Sequence, residues 1–321
     1  MQRRTDLALE SREMYRAENN HEVPGVKVKT EMAGNTQITR VKIINDEGEK
    51  EIGKPVGSYI TLELPLDIRD KGAAYELAID LLCTQLKGLM KDRSGTVLIV
   101  GLGNRSITPD SLGPRVVGYS LVTRHLFDLL PDNNYKGYGS VCAITPGVLG
   151  ITGIETGEII RGVVDRVKPD LVIAIDALAS RRMDRVNRTI QLSDTGITPG
   201  SGVGNHRNGI TEETLGVPVI AIGVPTVVDA ATMANDTIDM ILDELMDGAD
   251  QGGDFYKMLQ ELDRDEKYSM IQEVLTPKGM GDLIVTPKDI DEVVDTVAQI
   301  ISGGINLALH PSMTLEDLGR Y

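Results

Sequence analysis

Leu171-Val-Ile-Ala-Ile-Asp176-Ala-Leu-Ala-Ser-Arg181 decides the reading of this chain. The apolar run from Leu171 to Ile175, rich in β-branched residues, has the character of a strand buried on both faces. Thr96-Val-Leu-Ile-Val100 and Val217-Pro-Val-Ile-Ala-Ile222 repeat that character, and Val141-Cys-Ala-Ile144 is a shorter example. Helical patterns alternate with them. One covers residues 112–130, with Pro114 tolerated in the first turn. A second covers 155–167, turning Ile159, Ile160, Val163 and Val167 inward, and a third covers 229–247. The β-α-β-α order predicts an α/β fold: a mainly parallel sheet with helices on both faces. In an open sheet of this kind the loops after the strands gather at one edge, where ligands bind. Asp176 closes one strand, and Asp110 follows another in Gly101-Leu-Gly-Asn-Arg-Ser-Ile-Thr-Pro-Asp110-Ser-Leu-Gly-Pro114. Two carboxylates brought to one edge do not both ionise cheaply, which is raw material for acid–base chemistry.

Upstream the pattern changes. Residues 1–20 are polar and permit helix. Val26–Thr30, Gln37–Ile44 and Ser58–Leu64 alternate apolar and polar residues like half-buried strands, with Asp46-Glu-Gly48 as a turn between two of them. This β-rich stretch, 23–65, is either an edge addition to the sheet or a small lobe. Residues 73–91 form a helix, and further helices are expected at 254–274 and 289–308.

Composition narrows the function. The 321 residues carry a net charge of -15, which argues against direct contact with nucleic acid or an anionic membrane. No apolar stretch approaches the roughly 20 residues that cross a bilayer. The N-terminus lacks the apolar region of a secretion signal. Trp is absent and Phe occurs twice, so the core is built from aliphatic residues and Met. Cys83 and Cys142 sit in apolar segments and read as buried thiols of a cytosolic protein.

Each candidate site has a plainer alternative. The turn at Gly101–Ser106 resembles a dinucleotide-binding loop. Its third glycine position is Ser106, its helix starts late, and no acid ends the next strand, so it reads as a glycine turn at a strand end. Asp110, taken alone, reads first as a helix cap. Asp176 costs desolvation at the end of its apolar run unless something uses it, and Arg181 and Arg182 offer a plain salt bridge. The loop Gly196–Gly209 holds five glycines and His206. It suits close approach to a substrate chain, or is simply a surface loop. Glu155 and Glu158 read as charges on a helix's first turn. Around Ser201 the nucleophile-elbow pattern is broken, and Cys142 lies in a strand without a basic activator.

The motifs at 101–114, Ala174–Arg181 and Gly200-Ser-Gly-Val-Gly-Asn-His-Arg207, with Arg4-Thr-Asp-Leu-Ala-Leu-Glu10 and Leu283-Ile-Val-Thr-Pro-Lys288, resemble the spore germination proteases of endospore-forming bacteria. The resemblance spans essentially the whole chain. It implies an endopeptidase, made as a zymogen, that removes its own N-terminal segment and then cuts the small acid-soluble proteins coating spore DNA. It also implies an atypical aspartic protease, a fold like that of the hydrogenase-maturation endopeptidases, and a homotetramer in the cytoplasm of the forespore and spore core. The two essential aspartates fall at Asp110 and Asp176. Asn104, Arg105, Gly202, Gly204 and His206 are the supporting or substrate-binding candidates. Substrates in the family are cut after an acid, and Thr5-Asp6-Leu7-Ala8 matches, which places self-cleavage between Asp6 and Leu7 and makes 1–6 a propeptide. Asp6 as a helix cap is the alternative. Thr30-Glu31-Met32-Ala33 matches the same cleavage pattern. The rest, 7–321, is expected to be a single protease domain. Within it lie the β-rich 23–65, a catalytic core at 96–247 and a helical region at 254–308.

No cofactor is required by this reading. In the related maturation enzymes the matching acids bind metal, so a metal-dependent endopeptidase using Asp110, Asp176 and His206 is an alternative within enzymes. Outside enzymes the alternative is a domain that binds a basic peptide or small ligand at the same edge without cutting it. A nucleotide-binding reading ranks third.

Overall fold

The computed structural model describes residues 5–91, 95–129, 136–198, 209–248, 270–271, 273–275 and 283–318. The N-terminal part runs α1 (Ala8–Asn19), β1 (Val26–Ala33), β2 (Thr36–Ile43), α2 (Asp46–Ile52), β3 (Gly57–Glu63) and α3 (Ala73–Met90). The central part runs β4 (Thr96–Gly101), α4 (Leu112–Tyr119), α5 (Arg124–Leu129), β5 (Ser140–Ile144), α6 (Leu149–Thr152), α7 (Thr156–Val167) and β6 (Leu171–Ser180). The last part runs β7 (Thr189–Ser193), α8 (Glu212–Leu215), β8 (Val219–Asp229), α9 (Ala230–Gly248), β9 (Ile284–Val285), α10 (Ile290–Leu309) and α11 (Leu315–Leu318).

All these strands join one sheet, in the order β1-β2-β3-β7-β8-β6-β4-β5, with β9 paired to β8. The β8, β6, β4 and β5 pairings are parallel and form the α/β core expected from the alternating pattern. The β-rich N-terminal stretch is an edge addition: β3 pairs antiparallel with β7, and β7 with β8. Helices cover both faces. Strand alternation sends Leu171, Ile173 and Ile175 to one side, into a core shared with α3, α4 and α10. Val172 and Ala174 go to the other side, with Ile160 and Val164 of α7. The cluster on the first side runs in sequence from Ile38 to Met313, so α10 belongs to the same core as the sheet.

Several local expectations are corrected. Asp46-Glu-Gly48 opens α2 instead of making a turn, because the Asn45 side chain accepts from the Gly48 N–H at 3.0 Å and caps it. The helix expected over 112–130 breaks after Tyr119. Ser120 is extended, the Leu121 N–H donates to Asn306 Oδ1 at 2.9 Å, and Thr123 binds the β5 backbone. The strand expected to end at Ile175 continues to Ser180, so Asp176 lies inside β6. β7 has no counterpart among the expected strands. The helix expected at 254–274 falls almost wholly outside the described residues.

Candidate active site

β4 lies between β6 and β5, yet the chain visits β5 before β6. The β4–β5 and β5–β6 connections pass on opposite sides of the sheet: α4 packs on one face and α7 on the other. The crevice between the carboxyl ends of β4 and β6 is the switch point at which open α/β sheets bind ligands. A cavity of about 250 Å³ opens there. Asp110, Asp176 and Asp6 all line it, with Gly103, Gly147, Val148, Thr156 and Thr226 among the other walls.

Asp110 reaches the cavity through a tightly determined turn. Gly103 has φ +104°, and a Cβ there would lie 2.1 Å from the Asp110 carbonyl oxygen. The Asn104 N–H donates to that carbonyl at 2.9 Å and to the Asp110 carboxylate at 2.8 Å. The Thr226 hydroxyl holds the Pro109 carbonyl at 2.7 Å, and Thr108 donates to Asp291 at the start of α10. Gly101 and Gly113 let strand and helix backbones touch: a Cβ on either would fall 2.3 Å from a backbone oxygen of the other segment. The glycines of this motif thus serve strand–helix contact and the Asp110 turn, as the glycine-turn reading expected. Asp110 does not cap α4. The N-cap is Ser111, with no side-chain capping bond.

Asp176 is 4% exposed and follows the last β6 residue paired to β4, Ile175. Its Oδ1 accepts from the Ala177 N–H at 2.9 Å. The salt-bridge partners suggested for it turn elsewhere: Arg181 pairs with Asp236, and Arg182 with Asp184. Asn104 and Arg105 do not line the cavity. The Asn104 side chain accepts from the Ser106 N–H at 3.0 Å, closing its own turn. Gly202, Gly204 and His206 lie outside the described residues. Among the described residues no group of three or more His, Cys, Asp and Glu comes together as a metal site. Burial pushes both the Cys83 and the Cys142 thiol up, which suits neither as a nucleophile.

The third acid was expected as a cleavage position, with a helix cap as the alternative. Asp6 does not cap α1, whose N-cap is Leu7. Its N–H donates to the Ala179 carbonyl at 3.0 Å, and its Oδ2 accepts from the Ala179 N–H at 2.9 Å. The next residues are deeply packed, with Leu7 and Ala8 fully buried. α1 is then locked down by Glu10, which accepts from the Arg181 and Arg182 N–H groups, and by Arg185, which forms ion pairs with Glu10, Glu13 and Glu63. Sequence reasoning missed Glu10, Arg185 and Gln191. Each is an ordinary polar residue in sequence, and long-range contacts alone give it a role.

A profile of the family described as "Germination protease" matches residues 4–254 and 243–321. The chain belongs to the germination protease family. A germination protease of Clostridium tetani is 55% identical over 99% of this chain and 98% of its own. That of Caldanaerobacter subterraneus subsp. tengcongensis is 53% identical over 99% and 97%, and that of Bacillus pumilus 42% over 99% and 96%. Membership in the germination proteases makes the chain a hydrolase, an endopeptidase of spore germination. A solved structure, the [NiFe] hydrogenase maturation protease HycI from Thermococcus kodakarensis KOD1, aligns with TM-score 0.34 and 16% identity, covering 69% of this chain and 98% of that one. No helix among the described residues is long and apolar enough to cross a membrane.

Proposed function

We propose that this chain is an autoprocessing aspartic endopeptidase that uses Asp110 and Asp176, and that its targets are the small acid-soluble proteins of the spore. One observation carries the reading: Asp110, Asp176 and the residue before the expected cleavage point, Asp6, line one cavity at the switch point of the sheet. Asp6 also lies in an extended segment hydrogen-bonded to β6, the state in which proteases bind a chain.

In the proposed mechanism one carboxylate accepts a proton from water as the oxygen attacks the scissile carbonyl. The partner, protonated, hydrogen-bonds the carbonyl oxygen and then protonates the leaving amine. The two act as a unit, so roles are assigned to the pair and not to either residue. General acid–base assistance supplies about 10²–10⁴-fold, and the ordered seat of the peptide supplies the positioning. Cleavage at Asp6–Leu7 converts the zymogen, and the homotetramer and the forespore and spore-core location follow from the family resemblance.

Intact mass against time, for the parent chain and the Asp110→Asn and Asp176→Asn variants, tests this. Loss of Met1–Asp6 from the parent alone, with all three chains folded, is the expected outcome. Equal processing in both variants refutes the carboxylate pair. Inhibition by chelators with rescue by added metal would replace it with metal-assisted hydrolysis.

A further inference from the structure

A row of paired residues crosses the sheet beside the cavity: Thr61 on β3, Gln191 on β7, Gly223 on β8 and Asp176 on β6. Paired residues in adjacent strands point to one face, so Gln191 and Asp176 stand on the same side. With strands about 4.8 Å apart, their backbones are about 10 Å from each other. Gly223 between them carries no side chain, and the Leu178 side chain leans over it, within 2.4 Å of where a Cβ would sit.

The Gln191 side chain, itself 8% exposed, spans the Asp6–Leu7 peptide bond. Its Nε2 donates to the Asp6 carbonyl at 3.2 Å, and its Oε1 accepts from the Ala8 N–H at 2.8 Å. Both backbone groups have one possible role each, so the amide has one orientation. Meanwhile Ala179 brackets Asp6 itself, taking its N–H and donating to its carboxylate. Ala179 lies where the β6–β8 register shifts, which takes its N–H out of the regular ladder. Beyond Asp6 a second cavity, of about 290 Å³, is lined by Asp6, Lys54, Tyr59 and Gln191. Burial holds the Lys54 ammonium below the usual lysine range, and the Asp6 charge pulls it back up.

We propose that Gln191 and the backbone of Ala179 form a peptide clamp: Gln191 positions the bond to be cut, and Ala179 selects an acidic residue on its N-terminal side. The proposal deepens the protease reading and rests on it. Gln191 is a positioning residue, since it exchanges no proton and forms no covalent bond. Its amide donates to the reacting Asp6 carbonyl and accepts from the Ala8 N–H one peptide beyond, so it straddles Leu7. When residues 1–6 leave, Gln191 Nε2 and the Ala179 backbone are vacated while Ala8 keeps its bond to Gln191 Oε1, and the vacated groups then receive the acidic residue of a second polypeptide.

The test separates the clamp from the chemistry. Gln191→Leu keeps the volume and removes both bonds. In an Asp176→Asn background, where the peptide stays intact, amide exchange at Ala8 is expected to quicken by about tenfold when Gln191 is replaced, the equivalent of one hydrogen bond. In the chain with Asp176 intact, self-cleavage of Gln191→Leu is expected to slow by at least about tenfold. Gln191→Glu is the second variant. Its carboxylate repels the Asp6 carbonyl, whereas its protonated form regains one O–H donor, so its rate relative to the parent rises as pH falls. Asp6→Asn loses the charge in the bond to Ala179 and is expected to be cut about tenfold more slowly. Unchanged Ala8 exchange in Gln191→Leu overturns the clamp whether or not the parent cuts. So does a Gln191→Glu ratio that is flat with pH. Faster Ala8 exchange in Gln191→Leu, beside a parent that never cuts itself, retains the clamp and overturns the self-processing reading.

Discussion

Gly103 illustrates how much of the site rests on single backbone positions. Its φ of +104° is open to glycine and strained for other residues, and the Asp110 carbonyl fills the space a Cβ would take. Gly103→Ala is therefore expected to cost at least about 1–3 kcal/mol. It should also displace Asp110 and reduce self-cleavage as severely as Asp110→Asn, measured by intact mass beside a urea denaturation curve. Full activity in a stably folded Gly103→Ala would show that the turn does not place the acid. At this scale the sequence was legible where a residue is expensive. An acid at the end of Leu171–Ile175 demands a reason because burying it costs free energy, and Asp176 is indeed buried. Gln191 was not legible. A neutral amide in Thr189-Ile-Gln-Leu-Ser193 looks like any polar residue on a half-buried strand, and its two partners are over 180 positions away.

Among elements, α1 carries the N-terminal segment and is fastened by charge. Arg185 is 6% exposed and meets Glu10, which is 1% exposed, together with Glu13 and Glu63. Removing one member of a buried ion cluster leaves the others uncompensated. Arg185→Ala is expected to destabilise the fold by about 3–5 kcal/mol and to slow cleavage at Asp6–Leu7 by loosening α1. Urea unfolding and the processing rate check the two effects, and a loss under about 1 kcal/mol would refute the fastening. Long elements with a clear period are legible: α3 ends within one residue of the expected boundary, and α10 is offset by one at each end. β7 is not, because its five residues alternate polar and apolar and carry little signal, whereas the equally short β5 holds a continuous apolar run. The break after Tyr119 is hidden from the sequence because its causes, Asn306 and the β5 backbone, are tertiary.

Across the whole molecule, α10 ends at the fully buried His310. The Leu121 carbonyl can only accept, so His310 Nε2, 3.1 Å away, carries the proton. Nδ1 is buried with no hydrogen-bond partner among the described residues. Burial accordingly holds this imidazole below the usual histidine range. The sign follows: the unfolded chain takes up a proton as pH falls through about 6.5, whereas the folded chain does so only at lower pH. Stability is thus full above about pH 6.5 and is lost progressively toward the folded pKa. Thermal midpoints between pH 7.5 and 5 are expected to fall more steeply for the parent than for His310→Gln. Parallel curves would show that His310 does not contribute.

Hydrophobic periodicity was enough to read an α/β protein with a parallel core, and Asp110 and Asp176, each following an apolar strand, pointed to the edge where the candidate cavity opens. Both inferences depend on local patterns, since burial and backbone geometry repeat every two or 3.6 residues. What needed the folded chain was the company those acids keep. The antiparallel attachment through β7, the row from Gln191 to Asp176, and Asp6 seated between Ala179 and Gln191 all join residues far apart in sequence. Such pairings are set by strand order and register, which no local period encodes.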